Sequence, residues 1–152
     1  MEVLRGMARA AGLGNPRTQG ASGNLLFESD RPEDGVRAAL APRIEAHLGR
    51  SAGLVLRSAG ELRAILAALP FPEADPSRTV VILLDAPPPP DALEQVGGQG
   101  TEELRLGPRE IHVHYPDGMG RSRLRIPAAR DGTARNLNTL RRIAEKAGVT
   151  GP

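Results

Sequence analysis

A chain of 152 residues, 39% hydrophobic and 25% charged, has the makeup of one globular domain and the length to bury about two thirds of its unfolded surface. The absence of cysteine excludes disulfides, thiolate zinc sites and a catalytic thiol, and an aromatic share of 2% argues against stacking recognition of bases or sugars. The formal charge of +2 hides an asymmetry: from Gly120 onward eight basic residues face two acidic ones, a net +6 that leaves −4 for the remainder.

Over residues 2–11, Val3, Leu4, Met7, Ala8 and Ala11 share one helical face, and Gly12 is a natural stop. Arg17–Gly20 and Leu25–Glu28, flanking Ser22-Gly23-Asn24, read as a pair of strands or one bulged strand. Asp30-Arg31-Pro32-Glu33 has capping-box spacing, and Val36, Leu40, Ile44 and Leu48 carry a second helix that Pro42 should kink or split. A strand is expected over Gly53–Arg57. Ser58-Ala59-Gly60-Glu61 is another capping box, opening a helix with Leu62, Ile65, Leu66 and Leu69 on one face and Pro70 and Pro72 at its end.

A polar connector, 71–78, leads to Thr79–Asp85, apolar on both alternations and therefore a strand buried on both faces. The Pro87–Pro90 spacer precedes a short helix around Asp91–Val96, and Gly97, Gly98 and Gly100 suggest a flexible loop. Glu102–Leu106 and Glu110–Tyr115 form a hairpin about Gly107-Pro108, with Ile111, Val113 and Tyr115 on one face and Glu110, His112 and His114 on the other. A turn at Gly118 and Gly120 introduces a helical piece from about Arg121, interrupted at Pro127. Thr133–Arg135 is a short strand, and Asn136 caps a last helix bearing Leu137, Leu140, Ile143 and Ala147, closed by Gly148.

The second half thus reads strand, helix, strand, strand, helix, strand, helix, and the first half reads the same without an opening strand. The fold class is α+β: two duplicated ferredoxin-like βαββαβα units with mixed antiparallel sheets under helices, the first unit lacking its opening strand. The chain is taken as a single domain, 1–152, of two similar halves (about 1–70 and 79–150). In this topology the opening strand lies between the third and fourth, so its absence leaves Leu25–Glu28 and Val55–Arg57 without a shared partner.

Several blocks together carry a family resemblance: Pro16-Arg17-Thr18, Ser22–Ser29, Arg57–Leu62, Pro116-Asp117-Gly118-Met119-Gly120-Arg121-Ser122-Arg123-Leu124 and Thr133-Ala134-Arg135-Asn136-Leu137-Asn138-Thr139-Leu140. In this order they resemble the signature blocks of the bacterial domain-of-unknown-function family 1697. The resemblance implies a fold and no activity. Members usually open with a strand and a glycine-rich loop, which are missing before Met1; either upstream residues supply them, or the first half repacks or pairs with a partner. Gly20-Ala21 stands where the family has a hydrophobic residue and Gln, and Leu137 where it has Trp.

The candidate site follows from residue chemistry. Gly118 and Gly120 before Arg121, Ser122 and Arg123 offer backbone N–H groups and guanidinium forks to a phosphate or carboxylate, although the spacing is neither a P-loop nor a dinucleotide fingerprint. Arg135, Asn136 and Asn138 suit bidentate hydrogen bonding, yet Asn136 is equally a helix cap. His112 and His114 lack a third ligand nearby, so no metal is expected; no cofactor motif and no catalytic triad stands out. The favoured function is non-catalytic binding of an anionic partner, nucleic acid or a phosphorylated ligand, through the basic C-terminal part. One alternative is an enzyme on a small anionic metabolite clamped by Arg121, Arg123 and Arg135; another is homo-oligomerisation through unpaired strand edges. No apolar run approaches the roughly 18 residues of a membrane span and no secretory leader is evident, so no membrane partner and a cytoplasmic address are expected.

Overall fold

The computed structural model describes residues 2–19, 23–49 and 54–148. Helix α1 (Glu2–Ala10) gives way to Gly12 at φ +82°, a left-handed conformation that glycine adopts without strain. Strands β1 (Gly14–Gln19) and β2 (Asn24–Glu28) form an antiparallel hairpin whose register shifts between Gly14 and Arg17, so the pair exists and is irregular. Helix α2 (Glu33–Leu48) runs unbroken through Pro42 and closes on Gly49 at φ +71°. Its expected capping box does not form: Pro32 is the N-cap and supplies no capping side chain, and Glu33 bonds instead to arginines outside the first turn.

The strand expected over Gly53–Arg57 is absent from 54–57, and Gly53 lies outside the described residues. A strand needs a ladder partner, and among the described residues β2 pairs with β1 alone. The second capping box does form at the start of α3 (Ala59–Ala67): Ser58 Oγ accepts from the Glu61 N–H at 3.0 Å, and Glu61 Oε1 accepts from the Ser58 N–H at 2.9 Å.

The second half holds a four-stranded antiparallel sheet of β3 (Thr79–Leu83), β4 (Glu103–Leu106), β5 (Glu110–His114) and β6 (Thr133–Asn136), in the order β4-β5-β3-β6. The opening strand of this half therefore lies between its third and fourth strands, as the ferredoxin-like reading requires. Its crossover helices are reduced. Single 3-10 turns at Ala92–Gln95, Met119–Arg121 and Pro127–Ala129 stand where short helices are expected, because prolines and glycines interrupt each segment before an α-helix can propagate. Helix α4 (Leu137–Lys146) ends the fold, with Gly148 at φ +77° beyond it.

Three apolar clusters follow. Ala8, Ala11, Leu13, Val36 and Leu40 form the core of the first half, with α1 against α2. One face of the larger sheet (Val80, Ile82, Ile111, Val113) is covered by Leu93, Leu124 and Ile126 from the irregular crossovers. The other face presents Val81 to Leu62 and Ile65 of α3 and to Leu137, Leu140 and Ala144 of α4. A helix from the first half thus completes the core of the second. Leu140 is 1% exposed at this junction. Leu140→Ala should lower the unfolding free energy by about 2–5 kcal/mol, read from the urea midpoint at unchanged slope.

Candidate functional site

Beyond β5 the Gly118 N–H donates to the Tyr115 carbonyl at 2.9 Å, and Gly118 sits at φ +86°, so the chain turns sharply there. After the 3-10 turn, the backbone is extended at Ser122 (ψ 140°) and at Ile126 (φ −121°), and burial alternates along the segment. Arg121, Arg123 and Arg125 are exposed; Leu124 and Ile126 point into the core. Two-residue steps of extended chain place successive guanidinium stems about 6.6 Å apart on one side. Ser122 serves the loop itself, its Oγ donating to Glu102 Oε2 at 3.2 Å and accepting from the Leu124 N–H at 3.1 Å.

What fixes this segment is the glycine stretch expected to be a flexible loop. Gly97 and Arg125 exchange two backbone hydrogen bonds, of 2.9 and 2.7 Å, as an antiparallel bridge. A Cβ on Gly98, which sits at φ +68°, would lie 2.1 Å from the Arg123 carbonyl oxygen. Only glycine permits that approach, so Gly97-Gly98 is a packed support for the arginine segment.

The remaining candidate residues lie elsewhere and have local duties. Arg135 Nε donates to Asn24 Oδ1 at 2.7 Å and its Nη1 to Thr133 Oγ1 at 2.6 Å, joining β6 to the β1–β2 hairpin; burial draws its pKa down. It does not join Arg121 and Arg123 as a third arm of a substrate clamp. Asn136 is the N-cap of α4, its Oδ1 accepting from the Thr139 N–H at 2.9 Å, and Asn138 is exposed in the first turn of that helix. Gly118 and Gly120 have open space around their α-carbons.

Residue spacing did not disclose a charged cluster at the junction of the halves, because its members are far apart in sequence. Arg109, just ahead of β5, donates to both carboxylate oxygens of Glu33 (3.0 and 3.1 Å), to Glu61 Oε2 (3.1 Å) and to the Asp85 carbonyl (3.0 Å). Arg37 links Glu33 to the Asp85 carboxylate and donates to the Leu54 carbonyl at 2.7 Å. Arg57 donates to the carbonyls of Leu56, Leu84 and Arg109 at 2.8, 2.7 and 2.6 Å, and burial is the main influence lowering its pKa. Glu33 and Glu61 stood out in the sequence as capping-box residues, a signal of helix starts and not of a cluster.

The hydrogen bond from Arg109 is the largest influence holding the Glu33 carboxyl below its ordinary value of 4.5. A carboxylate with a lowered folded pKa binds fewer protons folded than unfolded. Its stabilisation is therefore complete above the unfolded pKa and is lost as pH falls through the folded one. Arg109→Met should flatten the drop of thermal midpoint between about pH 5 and pH 3 relative to the parent protein; equal slopes would remove Arg109 as the source.

His112 is buried in β5 and burial lowers its pKa; His114, on the same face, has Nδ1 3.3 Å from Glu103 Oε1 and its ring centroid 5.9 Å from that of Phe71. Among the described residues no group of three or more His, Cys, Asp or Glu side chains is placed to hold a metal ion, and no helix is long and apolar enough to cross a membrane.

Fold and surface together define a mixed α+β protein with two antiparallel sheets and an arginine-bearing extended segment. The profile of a family described as protein of unknown function DUF1697 matches residues 1–112, well over half of the chain, and the chain belongs to that family. The match ends at His112, so the blocks 116–124 and 133–140 lie outside it. The fold is also that of the conserved bacterial protein SP0830 from Streptococcus pneumoniae: the TM-score is 0.80 at 20% identity, covering 97% of this chain and 88% of that one. No curated protein matches the chain. Membership and likeness bring a fold, and no activity comes with either.

Proposed function

We propose that the protein is a non-catalytic binding protein that uses the segment Gly118–Arg125 to hold an anionic, phosphate-bearing partner, with nucleic acid as the leading case. The observation that supports this reading is the exposed, one-sided row of Arg121, Arg123 and Arg125 on a backbone pinned by Gly97 and Gly98. The net +6 from Gly120 onward adds a favourable long-range field. With so few aromatic rings, recognition runs through phosphate contacts and not through base stacking. The same reading takes the chain as a single cytoplasmic domain of two similar halves joined through 71–78, in keeping with α3 packing onto the second sheet. Fluorescence titration of labelled single strands and duplexes at several salt concentrations tests it. Binding should weaken with salt, and Arg121, Arg123 and Arg125 changed together to Ala should reduce the log–log slope by about 2 for single strands. No binding at low salt, or an unchanged slope in the variant, would remove the proposal.

One observation favours a second association. Among the described residues strand β2 is paired on one side only, and residues 54–57, which hold half-buried Leu54 and Leu56, make no ladder. Such edges accept a further strand, and a second copy of the chain is the partner this reading names. Light scattering should give a mass that rises with concentration toward the dimer; a constant monomer mass would exclude it.

A further inference from the structure

A cleft of about 370 Å³ opens between α3 and the β4–β5 hairpin, away from the arginine segment. Volumes of this order are at the small end of those that hold metabolites. One wall is apolar, made by Ala64 and Ile65 of α3 and by Ala68 at its C-cap. The opposite wall is polar, and the register of the hairpin builds it: Arg105 and His112 are direct cross-strand partners and therefore share a face with their Cβ atoms about 5 Å apart.

The polar groups in this cleft are incompletely satisfied. His112 is 4% exposed and its Nδ1 is buried with no hydrogen-bond partner, while Nε2 lies 3.9 Å from Glu110 Oε1, too far for a hydrogen bond. An orphaned ring nitrogen in a buried site costs stability, and a ligand that pairs with it would recover that cost. Arg57 lines the same cleft and its guanidinium meets only backbone carbonyls. Arg105 donates to the Leu104 carbonyl and lies 5.6 Å from the Phe71 ring centroid. Neither arginine is ion-paired with a carboxylate, whereas Arg109 at the rim is fully engaged by Glu33 and Glu61. Arg105 without an ion partner, Arg57 held by carbonyls, a buried imidazole and an apolar wall converge on one small cavity, whose lining also includes the carboxylates of Glu61, already bonded to Arg109, and of Glu110.

We propose that this cleft binds a small amphiphilic carboxylate: the carboxylate meets Arg105 beside the unpartnered Nδ1 of His112, Arg57 stays on its carbonyls and adds positive charge to the wall, and a short apolar body lies against Ala64, Ile65 and Ala68. Guanidinium groups recognise planar carboxylates through paired hydrogen bonds, and an apolar body of a few carbons suits the volume and the alanine-lined wall. Inorganic phosphate, which has no apolar part, should bind more weakly. This site is separate from the arginine segment proposed for phosphate-bearing partners and stands or falls independently of it.

The test is an NMR titration of the intact chain with hexanoate and with benzoate, following the ring signals of its three histidines, His47, His112 and His114. At least one of the two acids should shift the His112 signals saturably and leave those of His47 in place. Arg105→Ala and Ala64→Phe, the second filling the cleft without altering charge, should each weaken binding by about tenfold or more. Arg121→Ala with Arg123→Ala should leave it unchanged. Unmoved His112 signals at saturating acid would overturn the site, as would undiminished binding in a folded Ala64→Phe variant or equal affinity for inorganic phosphate.

Discussion

The guanidinium of Arg109 is the point at which the two halves are aligned. It reaches α2 through Glu33, α3 through Glu61 and the end of β3 through the Asp85 carbonyl, so one side chain refers two helices of the first half to the sheet of the second. Partly exposed ion pairs contribute little stability singly, and the energy that joins the halves comes from Leu62 and Ile65 against Val81 and Leu140. The ions contribute direction. An apolar contact tolerates sliding, whereas a guanidinium bonded to both oxygens of one carboxylate and one oxygen of another does not. The position of α3 over the sheet, and with it the shape of the cleft beside Arg105 and His112, depends on that alignment.

The difference between the halves follows from strand pairing. In the second half, Thr79–Leu83 is apolar from Val80 onward, 0–8% exposed from Thr79 to Ile82, and bonded to β5 and β6 on its two sides. With that central strand present, the crossovers need not be α-helices: short 3-10 turns carrying Leu93, Leu124 and Ile126 suffice to cover the sheet. In the first half the described residues offer no such strand, and residues 54–57 stay outside any ladder although their sequence favours one. Intrinsic preference is a weak guide for strands, because a strand is stabilised by its neighbours.

That contrast explains what the sequence made legible. Features decided locally were read correctly: the Ser58–Glu61 box, Asn136 as a cap, the stop at Gly12, and the alternation that puts Ile111 and Val113 on one face and His112 on the other. The order β4-β5-β3-β6 was also accessible, since a strand buried on both faces belongs in the middle of a sheet. Features decided at a distance were not. Glu33 looked like a capping residue because its spacing was right; its carboxylate is committed to Arg109, 76 positions away. Nothing near Arg135 in sequence announced its partner, Asn24, through which its guanidinium holds the β1–β2 hairpin. Gly97 and Gly98 looked like slack, and are the surface on which Arg123 and Arg125 rest.

An arginine-rich composition makes every cluster of guanidinium groups look like a binding site, and the structure supplies a way to tell them apart. Arg37, Arg57, Arg109 and Arg135 all bond to backbone carbonyls or to side chains of other elements, so moving any of them to meet a partner would break the junction between halves. Arg121 and Arg123 are exposed on a short loop whose backbone is held from beneath, and binding by them demands no such sacrifice. A surface that offers charge without dismantling the fold is what an anionic partner requires. By this criterion Arg121 and Arg123 are the arginines left available to the proposed partner, and Arg37, Arg57, Arg109 and Arg135 are committed to the architecture.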